Sequence, residues 1–146
     1  MTKSSCSTAG AAATPAHILR DAAAYLANRG WIRGQAFADT TADQPAGCVY
    51  GAIRIACGGS PNRHLTDEQD AAIDRAMGAL AGYLQPVDRD VDGMHRGSVY
   101  PIVTSWNDDP HTTADQVIAA LHAAANAWDR RHPAVVVPRN VLRGAA

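Results

Sequence analysis

Apolar residues recur at helical spacing in three stretches of this chain, each opened by a capping residue. Thr14-Pro15 offers an N-cap followed by proline at the first helical position, and Ile18, Leu19, Ala22, Tyr25 and Leu26 then share one face. Gly30 supplies the stop, so a helix is predicted over 15–29. Thr66-Asp67-Glu68-Gln69 is a capping box with acids at the positive end of the helix dipole. Ile73, Ala76, Met77, Leu80 and Leu84 continue it to Pro86, which predicts a helix over 67–85. Thr113 with Gln116 opens the last helix, whose stripe is Val117, Ile118, Leu121, Ala125 and Trp128 and which ends at His132-Pro133.

The remaining segments are less regular. Cys48 to Ala56 reads as a short buried helix or as a strand. Helix is the preferred reading, because Gly58-Gly59-Ser60-Pro61 ends it cleanly and Ala52 and Ala56 lie four apart. Trp31 to Phe37 reads as a short extended piece, and Thr40 to Gly47 carries turn chemistry in Asp43, Pro45 and Gly47. Residues 86–105 read as a loop, with Val99-Tyr100 and Ile102-Val103 as a short extended stretch within it. Asn107 and Asp108 read as a turn, and Trp106 as a hydrophobic staple for the helix that follows. The fold expected is mainly α, with about four helices around one core and at most a small β element. A tail over 1–13, a globular domain over 14–132 and a C-terminal tail over 133–146 complete the expected organisation, with Val135-Val136-Val137 either an edge strand or part of that tail.

Composition narrows the source of the core. Of 146 residues, 30 are alanine and only eight are aromatic. Alanine lets helices approach closely but buries little area, so the core is expected to rest on three Trp, four Tyr, Phe37 and the Ile, Leu and Val positions. A preference for Arg over Lys and for Asp over Glu resembles a coding bias and carries no functional weight. The net charge of −1 speaks against a uniformly basic nucleic-acid binder. Acidic side chains concentrate in residues 67–115, which fits a solvated face. Cys6, Cys48 and Cys57 are odd in number and lack zinc-motif spacing. Without a secretory signal or an apolar run of membrane length, a reduced cytoplasmic protein is expected.

Candidate chemistry is sparse. Cys48 precedes a possible helix N-terminus, which can lower a thiol pKa; His95 or His111 would then serve as base and Asn107 or Asp108 as orienting group, as in cysteine hydrolases. The competing reading is a cysteine buried as a small hydrophobe. Metal candidates are Cys57 with His64, or His95 with Asp90 and Asp92. Asp88-x-Asp90-x-Asp92-Gly93 resembles a calcium loop, but Val99 stands where the distal glutamate belongs. No metal or other cofactor is expected. Gly58-Gly59-Ser60 fits neither a Walker nor a dinucleotide loop and reads as a helix cap. Arg130, Arg131, His132, Arg139 and Arg143 could touch phosphate or simply complement a helix dipole. Gln35, Asn107 and Asp108 would form a polar recognition site if they line one cleft.

These residues also carry a resemblance. Arg29-Gly30-Trp31 with Gly34, then Cys48-x-x-Gly51-Ala52-Ile53, then Trp106-Asn107-Asp108-x-Pro110 with Thr113 and Val117-Ile118, in that order and spacing, resemble a family of small actinobacterial and actinophage proteins known only as a domain of unknown function. The resemblance spans about residues 15–131 and departs at Asp43-Gln44-Pro45 and in the Asp-rich 88–92 segment. It implies a small, mainly helical intracellular domain, often phage- or prophage-encoded, and brings no catalytic residues with it. The leading functional expectation is therefore a non-enzymatic accessory or regulatory protein that binds a protein partner. A cysteine-dependent hydrolase using Cys48 and a nucleic-acid-associated regulator are the alternatives.

Overall fold

In the computed structural model of the chain, which describes residues 13–85 and 96–133, five helices follow one another: α1 (Pro15–Arg29), α2 (Val49–Ala56), α3 (Asp67–Leu84), α4 (Arg96–Asp108) and α5 (Ala114–Arg131). The described residues contain no strand. The small β element that the sequence allowed amounts to two isolated bridges, in which Gly47 pairs with Trp31 and with Phe37. None of the helices described is long and apolar enough to cross a membrane. The reading of the two tails and of the Asp-rich 88–92 segment falls largely outside the described residues; Ala13, assigned to the tail, packs half-buried against the core.

The caps work as the sequence indicates. Thr14 accepts from the His17 amide, and Thr66–Gln69 and Thr113–Gln116 each close both bonds of a capping box. Each satisfies backbone donors that a helix start otherwise leaves unpaired.

The fourth helix corrects the sequence reading. Residues 96–108 are helical, not a loop with an extended stretch, although Pro101 lies inside and cannot donate to the preceding turn. Tertiary burial outweighs that local penalty: Val99, Val103 and Asn107, four residues apart, are all buried. Asn107-Asp108 therefore ends a helix instead of making a free turn. Trp106 sits in the last turn of α4, half-buried against the core, and is not a staple preceding α5. Its carbonyl accepts from the Thr112 hydroxyl (2.8 Å) and, more weakly, from the Asp109 amide (3.3 Å), which turns the chain into α5.

α1 packs most extensively on α5 and next on α2, while α3 lies against α4 and α5. The buried residues form one cluster. Its large members are aliphatic: Ile18 and Leu19 from α1, Ile53 from α2, Ile73, Met77 and Leu80 from α3, Val103 from α4 and Leu121 from α5. Burying each such side chain stabilises the fold by about 1.5–3 kcal/mol. The tryptophans are not its centre, contrary to the composition argument. Trp31, Trp106 and Trp128 pack half-buried at its edge, and Tyr83 is exposed. Buried alanines, including Ala16, Ala22, Ala23, Ala52 and Ala76, fill the centre with little volume and let the helices approach closely.

Candidate functional site

The segment between α1 and α2 doubles back along itself. Ile32 N donates to Gly47 O (3.0 Å), Cys48 N to Ala36 O (2.9 Å) and Ala38 N to Ala46 O (2.8 Å). Gly51 makes this close approach possible: a Cβ on it would lie 2.4 Å from the Ala36 carbonyl oxygen. The same segment is clamped onto the end of α4. Arg33 donates to the carbonyls of Asp109 (3.2 Å), Pro110 (3.4 Å) and Thr112, with its guanidinium 4.7 Å from the Trp31 ring centre. A cation at this helix C-terminus also complements the dipole.

Asn107 joins the three pieces. Its Oδ1 accepts from Trp31 Nε1 (2.8 Å) and from the Val49 amide (3.0 Å). Its Nδ2 donates to Ile32 O (3.2 Å) and to Asp108 Oδ1 (3.0 Å). That uses the full capacity of a carboxamide, and the two N–H donors on one side fix which atom is the oxygen. At 2% exposure the amide is walled in, so Asn107 is a support of the site.

Between the 34–36 turn, the start of α2 and one face of α4 lies a pocket of about 350 Å3. Gly34, Gln35 and Ala36 form one lip. Cys48 and Tyr50 come from the N-cap and first turn of α2, and Tyr100, Val103, Thr104, Asn107 and Asp108 from α4. The structure thus brings Gln35, Cys48, Asn107 and Asp108 together, the juxtaposition on which a recognition site depends.

Their chemical states differ. Cys48 is the N-cap of α2, and its Sγ accepts from the Gly51 amide at 3.4 Å. Burial, assisted by the charge of Asp108, pushes its thiol pKa up in spite of hydrogen bonds from the helix start. The thiol is therefore held protonated. Asp108 is exposed; the Gly34 amide (2.9 Å) and the Asn107 amide both donate to its Oδ1 and hold its carboxyl below the usual range. Its Oδ2 makes no hydrogen bond among the described residues. Gln35 is exposed, and its side chain is likewise without a hydrogen bond among them.

The other candidates lie elsewhere. His111 projects into solvent with its side chain 97% exposed, pairs with Asp109 at 3.2 Å and does not line the pocket. The other proposed base, His95, is outside the described residues, as are Asp88, Asp90, Asp92, Cys6, Arg139 and Arg143. Cys57 and His64 do not form part of any group of three metal-ligating side chains among the described residues. Gly58 and Gly59 cap α2, donating to Ile55 O and Arg54 O.

Sequence reasoning missed Tyr50, Tyr100, Val103 and Thr104. The signal was present in α4: positions 100, 103, 104, 107 and 108 follow the i, i+3, i+4, i+7, i+8 spacing of one helical face. The rings of Tyr50 and Tyr100 meet at 5.8 Å between centres, and the Tyr100 hydroxyl donates to Asp74 Oδ1 (2.7 Å).

Neither a curated protein nor a solved structure matches the chain. A family model does, over residues 10–127, so that it takes in all the pocket-lining residues named above. The chain belongs to that family, a family of unknown function (DUF6197).

Proposed function

We propose that the protein is a small non-enzymatic accessory or regulatory protein that acts by binding a protein partner, and that the pocket between the 34–36 turn, α2 and α4 receives a segment of that partner. The observation that carries this reading is the division of labour among the pocket residues. Asn107 is fully engaged in holding the walls, while Gln35 and Asp108 Oδ2 keep open hydrogen-bonding capacity beside two tyrosines. A preformed, mostly apolar concavity with a few convergent polar groups is the usual form of a binding site. A cytoplasmic location, which rests on the sequence expectations above, and a phage or prophage gene acting on a host factor, which rests on the sequence resemblance alone, belong to the same proposal.

The hydrolase alternative has less support. A nucleophilic cysteine needs a lowered pKa and a base in reach. Cys48 has a raised pKa, and no histidine among the described residues lines its pocket. The nucleic-acid alternative needs a continuous cationic face. Instead Arg20 pairs with Asp129 (2.6 Å), Arg29 with Gln44 (2.6 Å), and Arg33 and Arg54 with backbone carbonyls.

Affinity capture with the wild-type chain and with Thr104→Trp as baits tests the proposal. Thr104 is exposed on the pocket face of α4, so a tryptophan there fills the pocket without replacing a core residue. A partner recovered by the wild type and lost by Thr104→Trp supports the reading. A partner retained by both baits overturns it.

A further inference from the structure

We propose that the group received by the pocket is an arginine side chain of the protein partner, an inference that rests on the partner-binding reading above. Asp108 is the one charged residue lining the pocket among the described residues. Both donors that reach it go to Oδ1, which leaves Oδ2 without a hydrogen bond among the described residues. Arg33 is near enough to act on Asp108 electrostatically, but its Nε and Nη2 are held by the Asp109, Pro110 and Thr112 carbonyls, and no hydrogen bond joins it to Asp108. Arg54 is held in the same way by the Ser60 and Arg63 carbonyls, with only a long 3.4 Å contact to the Tyr50 hydroxyl.

The helix ends point the same way. The start of α2 would attract an anion if its amides were open. They are not: Cys48 N is bonded to Ala36 O, Val49 N to Asn107 Oδ1 and Gly51 N to Cys48 Sγ. The C-terminal end of α4, which carries Asn107 and Asp108, presents the negative end of its dipole instead, one that already holds the Arg33 cation nearby.

The walls favour guanidinium over ammonium. Tyr50, Tyr100, Cys48 and Val103 give an apolar lining for an aliphatic stem, with aromatic faces on which a flat cation can stack. One open carboxylate oxygen and the Gln35 carbonyl offer acceptors to a planar fork, whereas a compact ammonium, more strongly hydrated, loses more on entering an apolar site. A volume of about 350 Å3 lies at the low end for ligand pockets and suits one side chain, not a packed helix.

The test is a titration of the isotopically labelled full chain, followed by amide shifts, with acetyl-arginine-methylamide, the lysine compound and the neutral citrulline compound. Arginine is expected to give saturable shifts at Gly34, Gln35 and Asp108. Lysine should bind more weakly, and citrulline about tenfold or more weakly, since its neutral ureido group still donates but lacks the charge that strengthens a bond to Asp108. Asp108→Asn keeps the oxygen that accepts from Gly34 and should lower arginine affinity to the citrulline level; Gln35→Ala, at an exposed position, should weaken it independently. Equal binding of citrulline, lysine binding as tight as arginine, or no saturable shift at these amides overturns the proposal. Partner capture separates the two readings. A partner lost on Thr104→Trp but indifferent to Asp108→Asn removes the arginine assignment alone, and a partner indifferent to both removes the docking site as well.

Discussion

The side-chain oxygen of Asn107, in the last turn of α4, accepts a hydrogen bond from the backbone nitrogen of Val49 at 3.0 Å, so that the end of one helix caps the start of another. The same oxygen holds the Trp31 indole. Removing it leaves buried donors without partners. Asn107→Ala is expected to cost about 2–4 kcal/mol, as a shift in denaturant midpoint with unchanged slope. Asn107→Asp should be destabilised above the carboxylate pKa, because the new charge faces Ile32 O and Asp108. A stability within experimental error of wild type for both variants would remove Asn107 from this role.

Two glycines in helices should respond in opposite directions. At Gly51 an added Cβ meets backbone oxygen at 2.4 Å, so Gly51→Ala should lower stability by about 1–3 kcal/mol through displacement of the 34–36 turn. At Gly78, inside α3, an added Cβ meets nothing within 4 Å. Gly78→Ala should raise stability by about 0.5–1 kcal/mol. Thermal unfolding of the pair reads both signs.

Two carboxylates give opposite pH signatures. Asp108 has its pKa lowered by the Gly34 amide first, then the Asn107 amide. Its stabilising contribution is present above the ordinary value of 3.8 and disappears as pH falls through the lowered folded value. Asp108→Asn should therefore flatten the acid limb of the stability curve. Asp21 has its pKa raised by burial, partly offset by His17. Its Oδ2 is buried without a hydrogen bond, His17 Nε2 lying 3.5 Å away in contact geometry only. That penalty is full above the raised folded value and vanishes below 3.8, so Asp21→Asn should stabilise the protein at neutral pH and make little difference in acid. Urea unfolding across the acid range distinguishes the two.

The protonated, buried thiol of Cys48 should alkylate slowly at neutral pH, as resolved by mass spectrometry of the Cys48 peptide. Cys48→Ser should retain stability, since serine is a strong N-cap and can accept from the Gly51 amide. Rapid, selective alkylation of Cys48 would instead reveal an activated nucleophile and revive the hydrolase reading.

How much of this was legible in the sequence depends on which signals were local. Thr14, Thr66 and Thr113 announce α1, α3 and α5 because a cap and an apolar stripe lie within a few residues of each other. α4 was hidden because Pro101 and the Asp- and Gly-containing stretch before it read as loop, while the burial of Val99, Val103 and Asn107 that sustains the helix comes from distant partners. The polar candidates Gln35, Asn107 and Asp108 were legible as residue types. The distinction between Asn107 as support and Asp108 as the proposed contact was not, since it depends on bonds to Trp31, Ile32, Gly34 and Val49 that only the fold creates.

On the proposal above, this pocket is a contact surface whose open groups are Gln35 and Asp108. The most direct measurement is the dissociation constant of the captured partner for the wild type and for the Gln35→Ala/Asp108→Asn double variant, beside the melting temperature of each. At least about a tenfold loss of affinity, equivalent to about 1.4 kcal/mol, is expected with the fold retained. An unchanged dissociation constant would contradict it.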